Sequence, residues 1–179
     1  MDNCQWIEQV TIRYLTEDDL PSLEWDGEYT HFRRLYAEIF QSAKRGNAVL
    51  WVAEMKEVGV IGQLFVQLVS GRRELADGQF RAYVYGFRVQ PAFRGCGVGT
   101  RLMHTAEADL LKRGFRWVTL NVGRDNPEAR RLYETRGYRV VADEPGQWSF
   151  RDHLGKRHQV NEPAWRMEKK LVNHSVSGV

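Results

Sequence analysis

The sequence predicts an α/β fold containing both parallel and antiparallel strand pairs, and three observations carry that prediction. Residues 82–89 read as a strand, with Tyr83, Tyr85, Phe87 and Val89 alternating with Ala82, Val84, Gly86 and Arg88; aromatic and β-branched side chains favour a pleated backbone. A glycine-rich loop follows and opens into a helical pattern with Val98, Leu102, Ala106 and Leu110 four apart, and then Arg116 to Val122 reads as the next strand. Strand, helix and strand in that order imply a right-handed crossover and a parallel pair. From Tyr138 onward the chain reads as one long hairpin, whose arms run antiparallel.

The remaining elements fall into place in order. Val10, Ile12 and Tyr14 alternate with polar partners as a first strand. Thr16-Glu17-Asp18-Asp19 is a helix start, with Thr16 as N-cap and Asp19 at the third helical position; Leu20, Leu23 and Trp25 supply its apolar face. After the Asp26-Gly27 turn a second helix runs from about Thr30 to Lys44, with Phe32, Leu35, Tyr36, Ile39 and Phe40 on one side and Gly46-Asn47 at its end. Ala48 to Met55 and Val60 to Ser70 are strands joined at Glu57-Val58-Gly59, and their near-continuous apolar character predicts burial on both faces. Gly71 to Gly78 is a charged hairpin loop.

The central helix ends at Lys112-Arg113, with Gly114 for the left-handed cap and Phe115 folding back. Asn126 caps the next helix, Pro127 takes its first position and Gly137 its end. The C-terminal hairpin turns about His153-Leu154-Gly155. Centred on Leu154, it sets Pro145 against Pro163, so both arms are interrupted together and a kink or bulge is predicted. Trp148 and Phe150 then lie across from Val160 and His158. One domain over residues 1–172 and a frayed tail over 173–179 complete the organisation.

Charged residues make up 27% and hydrophobic ones 42%, as in a soluble globular protein. Lys+Arg number 26 against 23 Asp+Glu, a net charge of +3, which is too small an excess to argue for nucleic acid. No apolar run approaches the ~20 residues of a membrane span. MDNCQWIEQV lacks the basic start and apolar core of a secretory signal. Cys4 and Cys96 could pair, but reduced thiols and a cytoplasmic location are the expectation. The histidines offer no metal signature.

Arg94-Gly95-Cys96-Gly97-Val98-Gly99, between a strand and a helix, has the layout of an anion cradle. Glycines let successive amides turn toward one point, and the helix N-terminus adds partial positive charge. The G-x-x-x-x-G-K-[ST] spacing is absent, so the loop is expected to hold a phosphate and not transfer it. A tight glycine turn with no ligand is the alternative. No His or Asp is spaced to make Cys96 a nucleophile, so it reads as a bystander thiol.

This stretch resembles the GNAT superfamily of N-acetyltransferases, whose acetyl-CoA motif is Q/R-x-x-G-x-G/A. A second block, Asn126, Ala129, Tyr133, Gly137 and Tyr138, is similar to the family's N-x-x-A-x-x-x-Y-x-x-x-G-F/Y. The likeness covers roughly Val10 to Leu171 and is strongest from Tyr85 to Tyr138. It implies a mixed, mostly antiparallel, centrally splayed sheet with helices on both faces, acetyl-CoA as cosubstrate, and direct attack by an amine in a ternary complex. It also implies that the amides of Gly95, Cys96, Gly97, Val98, Gly99 and Thr100 bind the CoA pyrophosphate, with Arg94 reaching a phosphate oxygen. The pantetheine arm would lie in a splay between the strand ending at Phe87-Arg88-Val89 and the one ending at Asn121, bonded to the backbone of Val89. The Phe87 amide would face the thioester carbonyl. Asn121 and Asn126 could bond to the arm's amides, though helix capping explains Asn126 equally well.

Tyr133 is the family-based choice for the leaving-group acid; the alternative is a core tyrosine with its hydroxyl at the surface. The base is where this sequence departs from the family: many members carry a glutamate in the motif strand, but Phe80 to Val89 contains no Asp or Glu. Asp26, Glu28, Glu54 and Glu162 are candidates acting through water, each otherwise a solvated charge. Among Arg124, Arg130, Arg131, Arg136 and Arg139, one or two could meet the CoA ribose phosphate, or all could form a solvated face. Trp25, Tyr29, Trp148, Phe150 and Trp165 could wall an acceptor pocket or simply pack.

A small-molecule amine is the expected acceptor, with protein or peptide N-termini as the alternative and a non-catalytic acyl-CoA sensor as a further one. A dinucleotide-binding module fits less well, because Thr100 replaces the motif's last glycine and Asn121 stands where an acidic residue would be needed. No nucleic-acid or membrane partner is expected. A strand such as Ala164 to Leu171 could pair between subunits of a homodimer.

Overall fold

A computed structural model describes residues 4–173; the expectation of a frayed tail lies, beyond Asn173, outside the described residues. The strands are β1 (Val10–Tyr14), β2 (Ala48–Met55), β3 (Gly59–Gln67), β4 (Arg81–Val89), β5 (Trp117–Gly123), β6 (Arg139–Glu144), β7 (Gln147–Arg151), β8 (Arg157–Asn161) and β9 (Ala164–Lys170). The α-helices are α1 (Arg33–Lys44), α2 (Val98–Lys112) and α3 (Pro127–Thr135). Seven strands form one sheet in the order β1-β2-β3-β4-β5-β9-β6, and β7 pairs with β8 apart from it. Only β4 and β5 run parallel among the sheet's neighbours. The mixed, mostly antiparallel sheet expected from the sequence is the one found.

β2 and β3 are apolar on both faces because both faces are covered. Ile61, Leu64 and Val66 meet Leu102, Met103, Ala106 and Leu110 of α2 on one side. Leu50, Val52 and Phe65 meet Leu23 and Tyr36 on the other. A fully buried Leu or Phe contributes about 1.5–3 kcal/mol, so these two layers fix where the helices sit.

The first predicted helix differs from expectation. Glu17–Gly27 is a 3-10 segment broken at Trp25 (φ 47) and Asp26 (φ 54). Pro21 lacks the N–H that an α-helical interior needs, and the Asp19 carboxylate is held by Arg13 at 2.7 Å as well as by the Thr16 amide. The next helix begins with a 3-10 turn at Thr30–Phe32 before α1. β3 stops at Gln67 short of Ser70, and Val69 makes only an isolated bridge to Asp77.

The C-terminal hairpin has the predicted phase. Glu144 pairs with Ala164 and Gln147 with Asn161, leaving Pro145-Gly146 opposite Glu162-Pro163 outside both ladders. Trp148 faces Val160 and Phe150 faces His158. Gly146 has φ 67, and a Cβ there would collide with the Glu162 carbonyl; the crossing of the two arms requires glycine. The β7–β8 arm therefore leaves the sheet and packs on the Thr30–Phe32 turn and α1. β9 lies between β5 and β6, so the Ala164 to Leu171 strand has no free edge with which to pair between subunits, a possibility the sequence left open.

Two departures shape the functional region. β4 and β5 pair only from Arg81–Trp117 to Val84–Leu120; beyond that, β4 stays with β3 while β5 stays with β9, and a gap opens between them. Within β4 the register against β3 jumps from Phe65–Tyr85 to Gln63–Arg88, a bulge at Gly86 (φ 60). The simple alternation predicted for this strand is thereby broken. Tyr85 packs on the α1 side, whereas Phe87 and Val89 pack on the α2 side.

Candidate active site

The glycine loop sits at the N-terminus of α2. A short 3-10 turn, Pro91–Phe93, leads into it, and Gly95 (φ 79) and Gly97 (φ 94) take left-handed conformations. Gly97 is the N-cap and has no side chain to close the first turn, so the leading amides of α2 lack intrahelical acceptors. Val98 is buried in the core and anchors the turn. Gly99 lies under Phe87, whose ring would be 3.0 Å from any Cβ at that position. Donors free at a positive helix end are what an anion needs.

The arginines are divided between structural and loop-facing roles. Arg136 donates from Nη2 to Thr100 Oγ1, and its Nη1 is buried without a partner among the described residues. Arg124 pairs with Asp143 and lies over Trp165, Arg130 pairs with Glu134, and Arg139 with Glu168. Arg94 folds back, its Nε donating to the Val89 carbonyl at 2.7 Å.

Cys96 is not a free thiol. It is bonded to Cys4, with Cα atoms 5.4 Å apart, correcting the reduced state predicted from the sequence. The same N-terminal segment is held by Arg101, whose Nη1 donates to the Ile7 carbonyl, and by Trp6 edge-on to Phe93 at 5.4 Å. With two cysteines in the chain one pairing is possible, but nothing local in the sequence shows that positions 92 apart meet in space.

On the α1 side a cavity of about 860 Å³ opens onto the β4–β5 gap, touching Val84, Gly86 and Asn121. Asn121 Nδ2 meets the Tyr83 hydroxyl at 3.3 Å, while its Oδ1 is buried without a partner among the described residues. Tyr83, Tyr85, Phe65, Phe32, Tyr36 and Trp148 supply aromatic walls, and Arg72, Arg88, Glu144 and Glu162 the charges. Of the aromatic residues singled out in the sequence, Trp148 lines the cavity and Tyr29 lies against Arg88. Phe150 packs on Phe32, Trp25 on Tyr29, and Trp165 under Arg124.

Asn126 caps α3, its Oδ1 accepting from the Ala129 amide at 3.1 Å. Tyr133 packs edge-to-face on Tyr138 at 5.9 Å and joins the α2-side core. Burial pushes its phenol up to about 12, against a smaller opposing pull from Arg136. Its hydroxyl has no hydrogen-bond partner among the described residues, which leaves the proton available for donation.

Of the base candidates, Glu54 is held by Arg13 at 2.8 Å, and neither it nor Asp26 nor Glu28 lines the cavity. Glu162 does, and it has no ion-pair partner among the described residues. Glu144 went unmarked in the sequence. It is 3% exposed and clamped by Arg72 at 2.7 Å and Arg166 at 3.2 Å. Nothing near Glu144 in the chain advertises a pairing with a residue so distant as Arg72.

The model of the Acetyltransferase (GNAT) family matches residues 12–138. The mycothiol acetyltransferase of Nocardiopsis dassonvillei is 33% identical over 88 residues, 49% of this chain and 27% of that protein. An uncharacterized N-acetyltransferase of Bacillus subtilis is 27% identical over 89 residues, 50% of this chain and 54% of its own length. The matched segment thus spans only part of these relatives. Ard1 from Thermoplasma volcanium superposes with a TM-score of 0.70 at 21% identity, over 92% of this chain and 99% of that one. The ribosomal-protein-S18-alanine N-acetyltransferase of Escherichia coli gives 0.67 at 18%, over 95% and 99%. These structural likenesses establish the fold.

Proposed function

The chain belongs to the acetyltransferase (GNAT) family, and on that premise we propose that it transfers an acetyl group from acetyl-CoA to the amine of a small molecule by direct attack in a ternary complex. The observation that carries this reading is the β4–β5 gap, with the glycine loop beyond it on the α2 side and the aromatic cavity opening onto it from the α1 side.

The amides from Gly95 to Thr100 would hold the diphosphate, with Arg136 adding a cation at the same helix end. Phe87, Arg88 and Val89 would offer backbone groups to the pantetheine arm, once Arg94 releases the Val89 carbonyl and turns to a phosphate. Asn121 Oδ1, unpartnered and buried at the gap, would accept from an amide of the arm; Asn126 has its Oδ1 engaged in capping and only its Nδ2 to give. When bound, acetyl-CoA supplies a thioester whose carbon accepts the amine's lone pair. The Phe87 amide would then donate to the oxygen that gains charge.

Tyr133 would donate a hydrogen bond to the departing sulfur. Its phenol, held up to about 12, sits so far above a thiol near ~8.5 that full proton transfer would be uphill by about 5 kcal/mol. Donation without transfer is the consistent role. Glu162, through water, would take the proton from the amine. An α-amine near ~8 costs about 1.4 kcal/mol to deprotonate at neutral pH, against about 4.6 for a lysine-type amine, so a less basic acceptor lightens the demand on so exposed a base.

The cavity volume lies in the range of small-molecule sites, and Trp148 of the β7–β8 arm, stacked on Phe32 with centroids 6.1 Å apart, bounds one side. Following CoA release with acetyl-CoA and panels of small amines and peptides tests the reading. Turnover confined to small amines supports it; turnover of peptide N-termini alone would make the chain an N-terminal acetyltransferase, and acetyl-CoA binding without turnover of any amine would make it a sensor.

A further inference from the structure

The charges lining the cavity, Arg72 and Arg88 against Glu144 and Glu162, balance in number but not in pairing. Glu144 is engaged twice, by Arg72 at 2.7 Å and by Arg166 at 3.2 Å. Glu162 is exposed beside the Gly146 crossing. Arg88 is part-buried and has no carboxylate within ion-pair distance among the described residues. Its Nη1 donates to the Tyr36 hydroxyl at 2.9 Å, and the guanidinium lies 4.1 Å from the Tyr29 ring centroid and 5.5 Å from that of Phe32. Aromatic faces steady a guanidinium without neutralising it, and one hydrogen bond leaves most of its five donors unused.

The bulge at Gly86 accounts for this placement. It puts Arg88 against Tyr29 and Tyr36 on the cavity side, while its neighbours Phe87 and Val89 pack toward α2. The anchor therefore stands one residue from the amide proposed to face the thioester. The walls around it are flat and apolar. The rings of Tyr83 and Tyr85 are within 6° of parallel with centroids 5.7 Å apart, and Trp148 and Phe32 stack nearby.

We propose that the acceptor is an amine that also carries a carboxylate on a flat apolar body, with the carboxylate seated on Arg88. The inference rests on the acetyl-transfer reading above and goes further by naming the substrate class. A polycationic acceptor would find no uncommitted carboxylate inside this cavity except Glu162, whereas a carboxylate meets a planar fork of donors already held in place.

The test uses matched acceptors that differ only in the charge: 4-(aminomethyl)benzoate against 4-(aminomethyl)benzamide, and phenylalanine against phenylalaninamide. The two pairs separate a remote carboxylate from an α-carboxylate. Wild-type protein is expected to favour the acid of at least one pair by about ten- to a hundredfold in kcat/KM, the range of a charged hydrogen bond. Arg88→Leu should bring the acid-to-amide ratio near one and Arg88→Lys should retain part of it; the ratio is read within each variant, so any change in acetyl-CoA binding at Arg88, followed by calorimetry, affects acid and amide alike and divides out. An acid-to-amide ratio near one in the wild type, or a ratio that survives Arg88→Leu in a variant with unchanged melting temperature, overturns the inference while leaving acetyl transfer standing. If the leucine variant does not fold, the wild-type ratio and Arg88→Lys decide. Absence of acetyl-CoA binding, or of turnover with every amine, removes the acetyl-transfer reading and this inference with it.

Discussion

Gln63 donates from Nε2 to the carbonyl oxygen of Gly86 at 3.1 Å, and this contact sits at the break in β4 on which the proposed site depends. Gln63 is 1% exposed, so its amide is spent on the bulge and not on solvent. Gly86 is at φ 60, and a Cβ there would lie 2.5 Å from Phe65 Cδ2. The turn of the strand places Arg88 and Phe87 on opposite sides.

Gly86→Ala should therefore destabilise the protein by about 1–3 kcal/mol, from a left-handed non-glycine residue pressed on a core ring. Gln63→Leu should cost a similar amount, because it leaves the Gly86 carbonyl short of a buried partner. Urea unfolding measures both. Wild-type midpoints in either variant would show that the bulge is not held as described.

Tyr133→Phe is expected to lower kcat by about a hundredfold, within the range of proton-donor effects, with the KM for acetyl-CoA little changed. The sign of the pH dependence follows from the raised phenol. Tyr133 stays protonated until about 12, so between about pH 7 and 10 the rate should climb as the amine loses its proton, with no alkaline fall due to this residue. A fall in rate within that range, lost in Tyr133→Phe, would contradict the assignment.

Arg136→Ala should raise the KM for acetyl-CoA about tenfold while leaving kcat near wild type, since a guanidinium at the helix end would bind ground and transition states alike. Steady-state kinetics at saturating acceptor separate the two parameters. A fall in kcat alone would place Arg136 in the chemical step instead.

Reduction of the Cys4–Cys96 bond should lower stability markedly. The bond closes a loop of sequence separation 92, for which the chain-entropy account gives about 4–5 kcal/mol. Denaturation with and without dithiothreitol measures it, and Cys4→Ser should match the reduced wild type. Equal stability in both redox states would mean that Arg101 and Trp6 hold the segment alone.

The parts of this fold legible in the sequence are those written in local backbone chemistry. Gly114 and Gly137 mark helix ends, Asn126-Pro127 a helix start, and Pro145 with Pro163 set the phase of the C-terminal hairpin to the residue. The loop before α2 was legible for the same reason, since its glycines are needed where the backbone turns. What was not legible depends on partners far along the chain. Arg72 reaches Glu144, Cys4 reaches Cys96, and Gln63 reaches Gly86, and no local pattern announces any of these. Gly86 and Pro21 are signals a local reading can use: a glycine inside an alternating strand is itself a sign of a bulge, and a proline inside a predicted helix argues against an α-helical interior. Without the bulge, the side chain of Arg88 has no evident destination, and the charged character of the cavity stays hidden.

The central claim is that amides at the start of α2 hold acetyl-CoA so that its thioester meets the gap between β4 and β5. Titrating ¹⁵N-labelled protein with acetyl-CoA and following the amide resonances tests it residue by residue. The account predicts that Gly95, Gly97, Gly99 and Thr100 shift most and saturate together with Phe87 and Val89. Saturation that leaves these amides unmoved, or no saturable shift at all, would contradict it.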